Sequence, residues 1–202
     1  MSLATDPTPK RLRQLYFIRH GETEWSLSGR HTGRTEVPLT SHGEDQARDV
    51  GAGLRNLCFS QVLTSPRQRA RHTCELAGLT PLAEIDPDLS EWDYGQYEGR
   101  TTAQIRTRRP GWNVYRDGCP GGETPAQVSD RADRVIASLA AAEGKIALFS
   151  HAQFGCVLAA RWIGLPVNKG QHFSLGPASL NILGFNPGHP EIAVIALLNG
   201  SP

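Results

Sequence analysis

The chain has 202 residues, 39% of them hydrophobic and 20% charged, with a formal net charge of +1. At this length the composition fits one globular core, and the near-zero charge gives no electrostatic case for binding nucleic acid or an anionic membrane. The cysteines, Cys58, Cys74, Cys119 and Cys156, form no C-x-x-C pair, which argues against a zinc site and a disulfide framework, and no run approaches the roughly 18 apolar residues of a membrane span.

Residues 1–14, MSLATDPTPKRLRQ, are polar and are expected to be a frayed tail ahead of a single domain over 15–202. Nothing in them resembles an apolar leader, so a reducing cytoplasm is the expected setting. Leu15 to Ile18 is a short apolar run of the buried-strand kind. Ser41-x-x-Glu44 predicts a capping box opening a helix that carries Ala47, Val50 and Leu54. Val62 to Thr64 is the next strand, and Ser65-Pro66 predicts an N-cap followed by proline at the first helical position. Residues 80–123, rich in Gly, Pro, Trp and Tyr, break the pattern and are expected to be an excursion over one edge of the sheet. Thr124-Pro125-x-Gln127 starts a helix whose Val128, Ala132, Val135, Ile136 and Leu139 fall on one face. Ile146 to Phe149, a helix over 154–163, and strands over 180–185 and 192–198 complete the chain. Strands alternating with helices predict an α/β domain with a mainly parallel sheet covered on both faces.

Ligands of open α/β sheets sit at the carboxyl ends of the strands. Arg19-His20-Gly21 follows the first strand, Ser65-Pro66-Arg67-Gln68-Arg69 the second, and Ser150-His151-Ala152 the strand at Ile146. Two histidines and two arginines, distant in sequence, are therefore expected at one edge, where helix N-termini add N–H donors. The 21 basic residues comprise only three lysines, Lys10, Lys145 and Lys169, and 18 arginines; those placed at strand ends are the ones suited to bidentate phosphate recognition. One histidine can attack phosphorus through a ring nitrogen, the arginines can stabilise the transferring charge, and Gly21 allows close backbone approach. A departing alkoxide needs a proton, for which Glu91 or Asp93 in LSEWDYG is the candidate. His31, His42, His72, His172 and His189 are read as structural or surface residues.

The ordered set Arg19-His20-Gly21-Glu22-Thr23, Thr32-Gly33, Pro38-Leu39-Thr40, Ser65-Pro66, Arg69-Ala70, Glu91, Tyr94-Gly95, Glu98-Gly99, Gly122-Glu123-Thr124 and Ser150-His151 resembles the histidine phosphatase superfamily. The resemblance implies a phosphoglycerate mutase-like, three-layer α/β/α sandwich. It implies His20 as the phosphorylated nucleophile, with Arg19, Arg69 and His151 forming the phosphate pocket, and it favours Glu91 over Asp93 as proton donor. Gly21, Ser26, Arg30, Thr32, Gly33, Tyr94 and Arg116 are the residues it suggests on the substrate side. It implies no metal and no cofactor, and a small phosphorylated metabolite as partner; a homodimer is left open.

Two positions depart from the family pattern. Ser26 stands where the mutases usually carry asparagine, and Ala152 where the family usually carries glycine. If position 152 needed positive φ, alanine would displace His151. The short segment between Glu91 and Glu123 makes a small lid, and an open pocket favours hydrolysis over mutase transfer. A phosphatase is therefore expected ahead of a phosphoglycerate mutase-type phosphotransferase, and the GRHTGRTEVPLT and EWDYGQYEG stretches resemble members that hydrolyse sugar phosphates. The rival from another class is a phosphate-binding module of the same fold with weak or no turnover. A dinucleotide-binding turn is absent after the first strand, and the histidines lack H-x-H or H-E-x-x-H spacing for a metallohydrolase.

Overall fold

The computed structural model describes residues 13–201. β1 (Gln14–Arg19) is followed by a short helix α1 (Glu24–Leu27), α2 (Ser41–Leu54), β2 (Phe59–Thr64), α3 (Gln68–Leu76) and β3 (Ala83–Ile85). Then come α4 (Thr102–Arg108), α5 (Val114–Asp117), α6 (Pro125–Ser138), β4 (Lys145–Ser150), α7 (Ala152–Trp162), β5 (Leu180–Asn186) and β6 (His189–Gly200). The sheet order is β3-β2-β4-β1-β5-β6, with β3, β2, β4 and β1 parallel and β5 and β6 antiparallel. This is the expected mainly parallel sheet with helices on both faces.

Both faces of β1 are buried, so it reads as a continuous apolar run rather than an alternating one. Leu15 and Phe17 pack into the larger core with α6 and α7, while Tyr16 and Ile18 face the second core with Val50 and Leu54 of α2 and Cys74 of α3. From β1 the chain passes to β2, beyond β4; from β4 it passes to β5, beyond β1. The connections leave these neighbouring strands in opposite directions, which opens a crevice at their carboxyl ends. The strand ends are tied there: His20 N–H donates to Ser150 C=O at 3.0 Å and Ser65 N–H to Phe149 C=O at 2.9 Å.

Several local expectations shift. β1 begins at Gln14, inside the segment read as a tail, and Arg13 donates to the Ala140 carbonyl at 2.7 Å; residues 1–12 of that segment lie outside the described residues. The cap of α2 is Thr40, not Ser41: the Thr40 hydroxyl accepts from Gly43 N–H at 3.0 Å. Ser65 is not a helix cap, because α3 starts at Gln68 with Arg67 at the N-cap. The Thr124 box forms as expected, with reciprocal bonds between Thr124 and Gln127. The middle segment does more than skirt the edge. It contributes β3 at the sheet edge, then sends Leu89, Trp92, Tyr94, Ile105, Trp112, Val114 and Tyr115 into the larger core. No helix among the described residues is long and apolar enough to cross a membrane.

Candidate active site

His20, immediately after β1, is 5% exposed, and its ring stands edge-on to that of His151 with centroids 5.2 Å apart. His20 Nδ1 lies 2.7 Å from its neighbour's carbonyl, Gly21 C=O. A carbonyl only accepts, so Nδ1 carries the proton and Nε2 keeps its lone pair. That lone pair accepts from Arg69 Nε–H at 3.3 Å. Burial, then the charges of Arg69 and Arg19, hold His20 well below the ordinary histidine range; the Gly21 bond opposes them. A neutral imidazole with its free nitrogen facing a guanidinium is thus built in.

Gly21 earns its place by contact rather than by dihedral freedom. A Cβ there would overlap the Gly43 carbonyl at the start of α2, and Gly21 N–H donates to Thr73 Oγ1 of α3 at 3.0 Å. Arg69 is fully buried in the first turn of α3; its other donors reach Thr32 C=O at 2.9 Å, Gly33 C=O and Thr35 C=O, both at 3.1 Å. It therefore fixes the 32–35 loop as well as facing His20. Arg19 donates to Leu175 C=O through Nη1, while its Nε is buried without a hydrogen-bond partner among the described residues. His151, the N-cap of α7, places Nε2 2.8 Å from Ser65 Oγ, and its buried Nδ1 has no hydrogen-bond partner among the described residues. Burial, then Arg69, keeps His151 well below its ordinary value too.

Glu91 faces this group from the middle segment. Its Oε1 accepts from Trp92 N–H and Phe154 N–H, both at 2.9 Å, and its Oε2 from Gln153 N–H at 3.1 Å, so the carboxylate closes the start of α7. Burial raises its pKa, and these N–H bonds pull the other way without overcoming it. Asp93 turns away to bond Gly95 N–H at 3.0 Å and Arg34 at 2.8 Å, which leaves Glu91 as the carboxyl beside the histidines.

A cavity of about 330 Å³ opens outward from Arg19, His20 and Glu91, with Ser26, Arg30, Thr32 and Tyr94 on its walls. Ser26 Oγ bonds Thr23 N–H at 2.9 Å and caps α1, so the hydroxyl is already engaged. Gly33 is off the cavity wall: a Cβ there would come within 2.6 Å of the Trp92 carbonyl, so the glycine is needed for packing. Arg116 is not brought in either; it is exposed and bonds Asp117 at 2.8 Å and the Gly111 carbonyl at 2.6 Å. Ala152 is the first residue of α7, and the only non-glycine residues with positive φ among those described are Ala178 and Asn199. Alanine at 152 therefore carries no backbone penalty and does not displace His151.

Two residues at the site are given no role there by the sequence: His31, read as structural or surface, and Arg131, not singled out. His31 lines the cavity, stacked on Tyr94 with centroids 4.6 Å apart, its Nε2 3.1 Å from Thr102 Oγ1; burial lowers its pKa to about 4. Arg131 of α6, 7% exposed, donates to Asp88 C=O at 2.7 Å, Ser90 C=O at 2.6 Å and Glu91 C=O at 3.3 Å, and pairs with Glu123 at 2.9 Å. It holds the strand of backbone that carries Glu91.

A profile of the histidine phosphatase superfamily (branch 1) matches residues 15–197. The chain is 46% identical over 191 residues to an acid phosphatase of Mycobacterium tuberculosis, covering 93% of this chain and 94% of the relative. It is 38% identical over 194 residues to a sedoheptulose 1,7-bisphosphatase of Saccharomyces cerevisiae, covering 80% and 71%. The solved structure of an open reading frame product of Mycobacterium tuberculosis superposes with a TM-score of 0.88 at 43% identity, over 95% of this chain and 99% of that one.

Proposed function

Because the chain belongs to the histidine phosphatase superfamily, branch 1, we propose that it hydrolyses phosphomonoesters of small metabolites through a phosphohistidine at His20. The observation that carries the chemistry is the Gly21 bond to His20 Nδ1, which leaves Nε2 as the only ring nitrogen able to attack. The ester's phosphoryl group sits among Arg19, Arg69 and His151. His20 Nε2 attacks phosphorus, the bond to the ester oxygen breaks, and Glu91 gives its proton to the departing alkoxide. The ionised Glu91 then takes a proton from water, whose oxygen attacks the phosphoryl group; the N–P bond breaks and phosphate leaves with His20 neutral again. The raised pKa of Glu91 suits a group that must start protonated. Arg19 and Arg69 supply the positive charge at the equatorial oxygens, so no metal takes part and chelators leave the rate unchanged.

Gly29 and Arg30 are exposed at the rim, so water reaches the phosphoenzyme. That favours hydrolysis over transfer to a second substrate. The free cysteines suit a cytoplasmic setting. The test is release of phosphate from p-nitrophenyl phosphate by the wild type and by His20→Ala. The wild type turns over and the variant, still folded, does not. A wild-type protein that binds phosphate and releases none is instead the non-catalytic module.

A further inference from the structure

Several polar groups on the cavity wall have hydrogen-bonding capacity that is unspent. The Tyr94 hydroxyl, the Gln153 amide, the Ser174 hydroxyl and His31 Nδ1 all belong to cavity-lining residues, and none of these atoms makes a hydrogen bond among the described residues. Three other polar side chains of this site are committed: Ser26 to its cap, Thr32 to the Arg30 carbonyl at 3.2 Å, Arg69 to three carbonyls. Convergent unspent groups beside a small cavity are how a site recognises a polar ligand.

We infer, resting on the phosphatase reading, that His31, oriented by Thr102, is a specificity-determining residue whose remaining ring nitrogen hydrogen-bonds a hydroxyl of the substrate's carbon portion, so that sugar phosphates are preferred to aryl esters. Three observations select hydroxyls over charge. The His31 ring is wedged against Tyr94 at 4.6 Å and edge-on to Trp112 at 5.4 Å, which fixes its plane. Its Nε2 is tied to Thr102 Oγ1 at 3.1 Å, and its backbone is tied on both sides, N–H to Arg100 C=O and C=O to Gly99 N–H, each at 2.9 Å. A neutral imidazole held in this way has one donor and one acceptor nitrogen. Whichever way the Thr102 bond runs, a ligand hydroxyl can meet the remaining nitrogen, because a hydroxyl both donates and accepts. Among the described residues that line the cavity, Glu91 is the only acidic one, and Arg19 and Arg30 are the only basic ones besides the histidines.

The test compares kcat/KM for p-nitrophenyl phosphate with that for a panel of five- to seven-carbon sugar phosphates, in the wild type, His31→Phe and Thr102→Val. Phenylalanine keeps the packing on Tyr94 and removes the nitrogens. We expect the wild type to prefer a sugar phosphate. His31→Phe should lose about tenfold more on that ester than on the aryl ester, mainly through KM, the scale of one hydrogen bond to the ligand. Thr102→Val, which unties the ring without touching the cavity's volume, should move the same ratio in the same direction. A wild type that prefers the aryl ester, or variants that lose equally on both, overturns the role of His31 and leaves the phosphatase intact. A wild type that hydrolyses neither ester overturns the phosphatase reading itself.

Discussion

Glu91→Gln separates the two halves of the proposed reaction. The carboxamide oxygen can keep the Trp92 and Phe154 N–H donors that Oε1 now holds, but its NH₂ group must face Gln153 N–H, which Oε2 satisfies at 3.1 Å. One buried donor is left without a partner, at about 1–3 kcal/mol. A melting temperature lower by about 2–12 °C follows for a chain of this size. The kinetic effect is larger. A positioned acid–base group contributes about 10²–10⁴ in rate, or about 2.7–5.4 kcal/mol. For an alkyl phosphate both steps suffer, because the alkoxide has no proton donor and water has no base. For p-nitrophenyl phosphate the leaving group departs as a stable anion, so only hydrolysis of the phosphoenzyme slows. Stopped-flow absorbance should then show a burst of nitrophenolate, one per enzyme, before a slow steady state, while sugar phosphates show none. If the variant loses equally on both esters without a burst, Glu91 does not serve the leaving group and the assignment is refuted.

Arg69→Ala should lower kcat/KM by about 3 kcal/mol, the scale of one removed oxyanion donor. It should also loosen the loop it holds through Thr32, Gly33 and Thr35, so protection of the 32–35 amides from hydrogen exchange falls with activity. Ala152→Gly should cost at most about 1 kcal/mol of stability and leave the rate within about threefold, less than the tenfold that 1.4 kcal/mol commands, because the position is ordinary helix; a larger gain would show that the methyl obstructs the site. Stability should fall on acidification below about pH 6.5. His20, His151 and His31 stay neutral in the fold, the last down to about 4, while the unfolded chain takes up their protons. Each contributes a slope of about 1.4 kcal/mol per pH unit in that window. The raised carboxyl of Glu91 acts in the opposite sense just above the normal carboxylate range, where the fold keeps a proton that the unfolded chain has released. Urea midpoints at pH 7 and pH 5 test the sign, and equal midpoints contradict it.

What could be read from the chain followed how local each feature is. The Thr124-Pro125-x-Gln127 box closes within one turn, so its residues alone determine it. Thr40 and Ser41 are both good caps, and only the backbone of the preceding loop decides that Thr40 takes Gly43 N–H. Ser65-Pro66 has the letters of a helix start, yet the strand end and His151 claim Ser65 first. The core pair His20 and His151 was legible because strand ends in such sheets converge by topology. His31 had no such mark: one histidine in a polar loop becomes a cavity wall only when Tyr94, Trp112 and Thr102 arrive from the middle segment. Arg131 did carry a sign. It lies three residues after Val128 and beside Ala132, on the apolar face of α6, where a lone charge has to be clamping something. β3, three residues long at a sheet edge, is too short to show a period.

The central claim is a covalent bond between phosphorus and His20 Nε2, and trapping that bond tests it most directly. Wild-type enzyme mixed with p-nitrophenyl phosphate, quenched in base within the first turnover and digested, should yield one phosphorylated peptide, the one carrying His20, with the modification absent from the peptide carrying His151. Phosphate released at full rate with no phosphorylated peptide, or the label found on His151, contradicts the account.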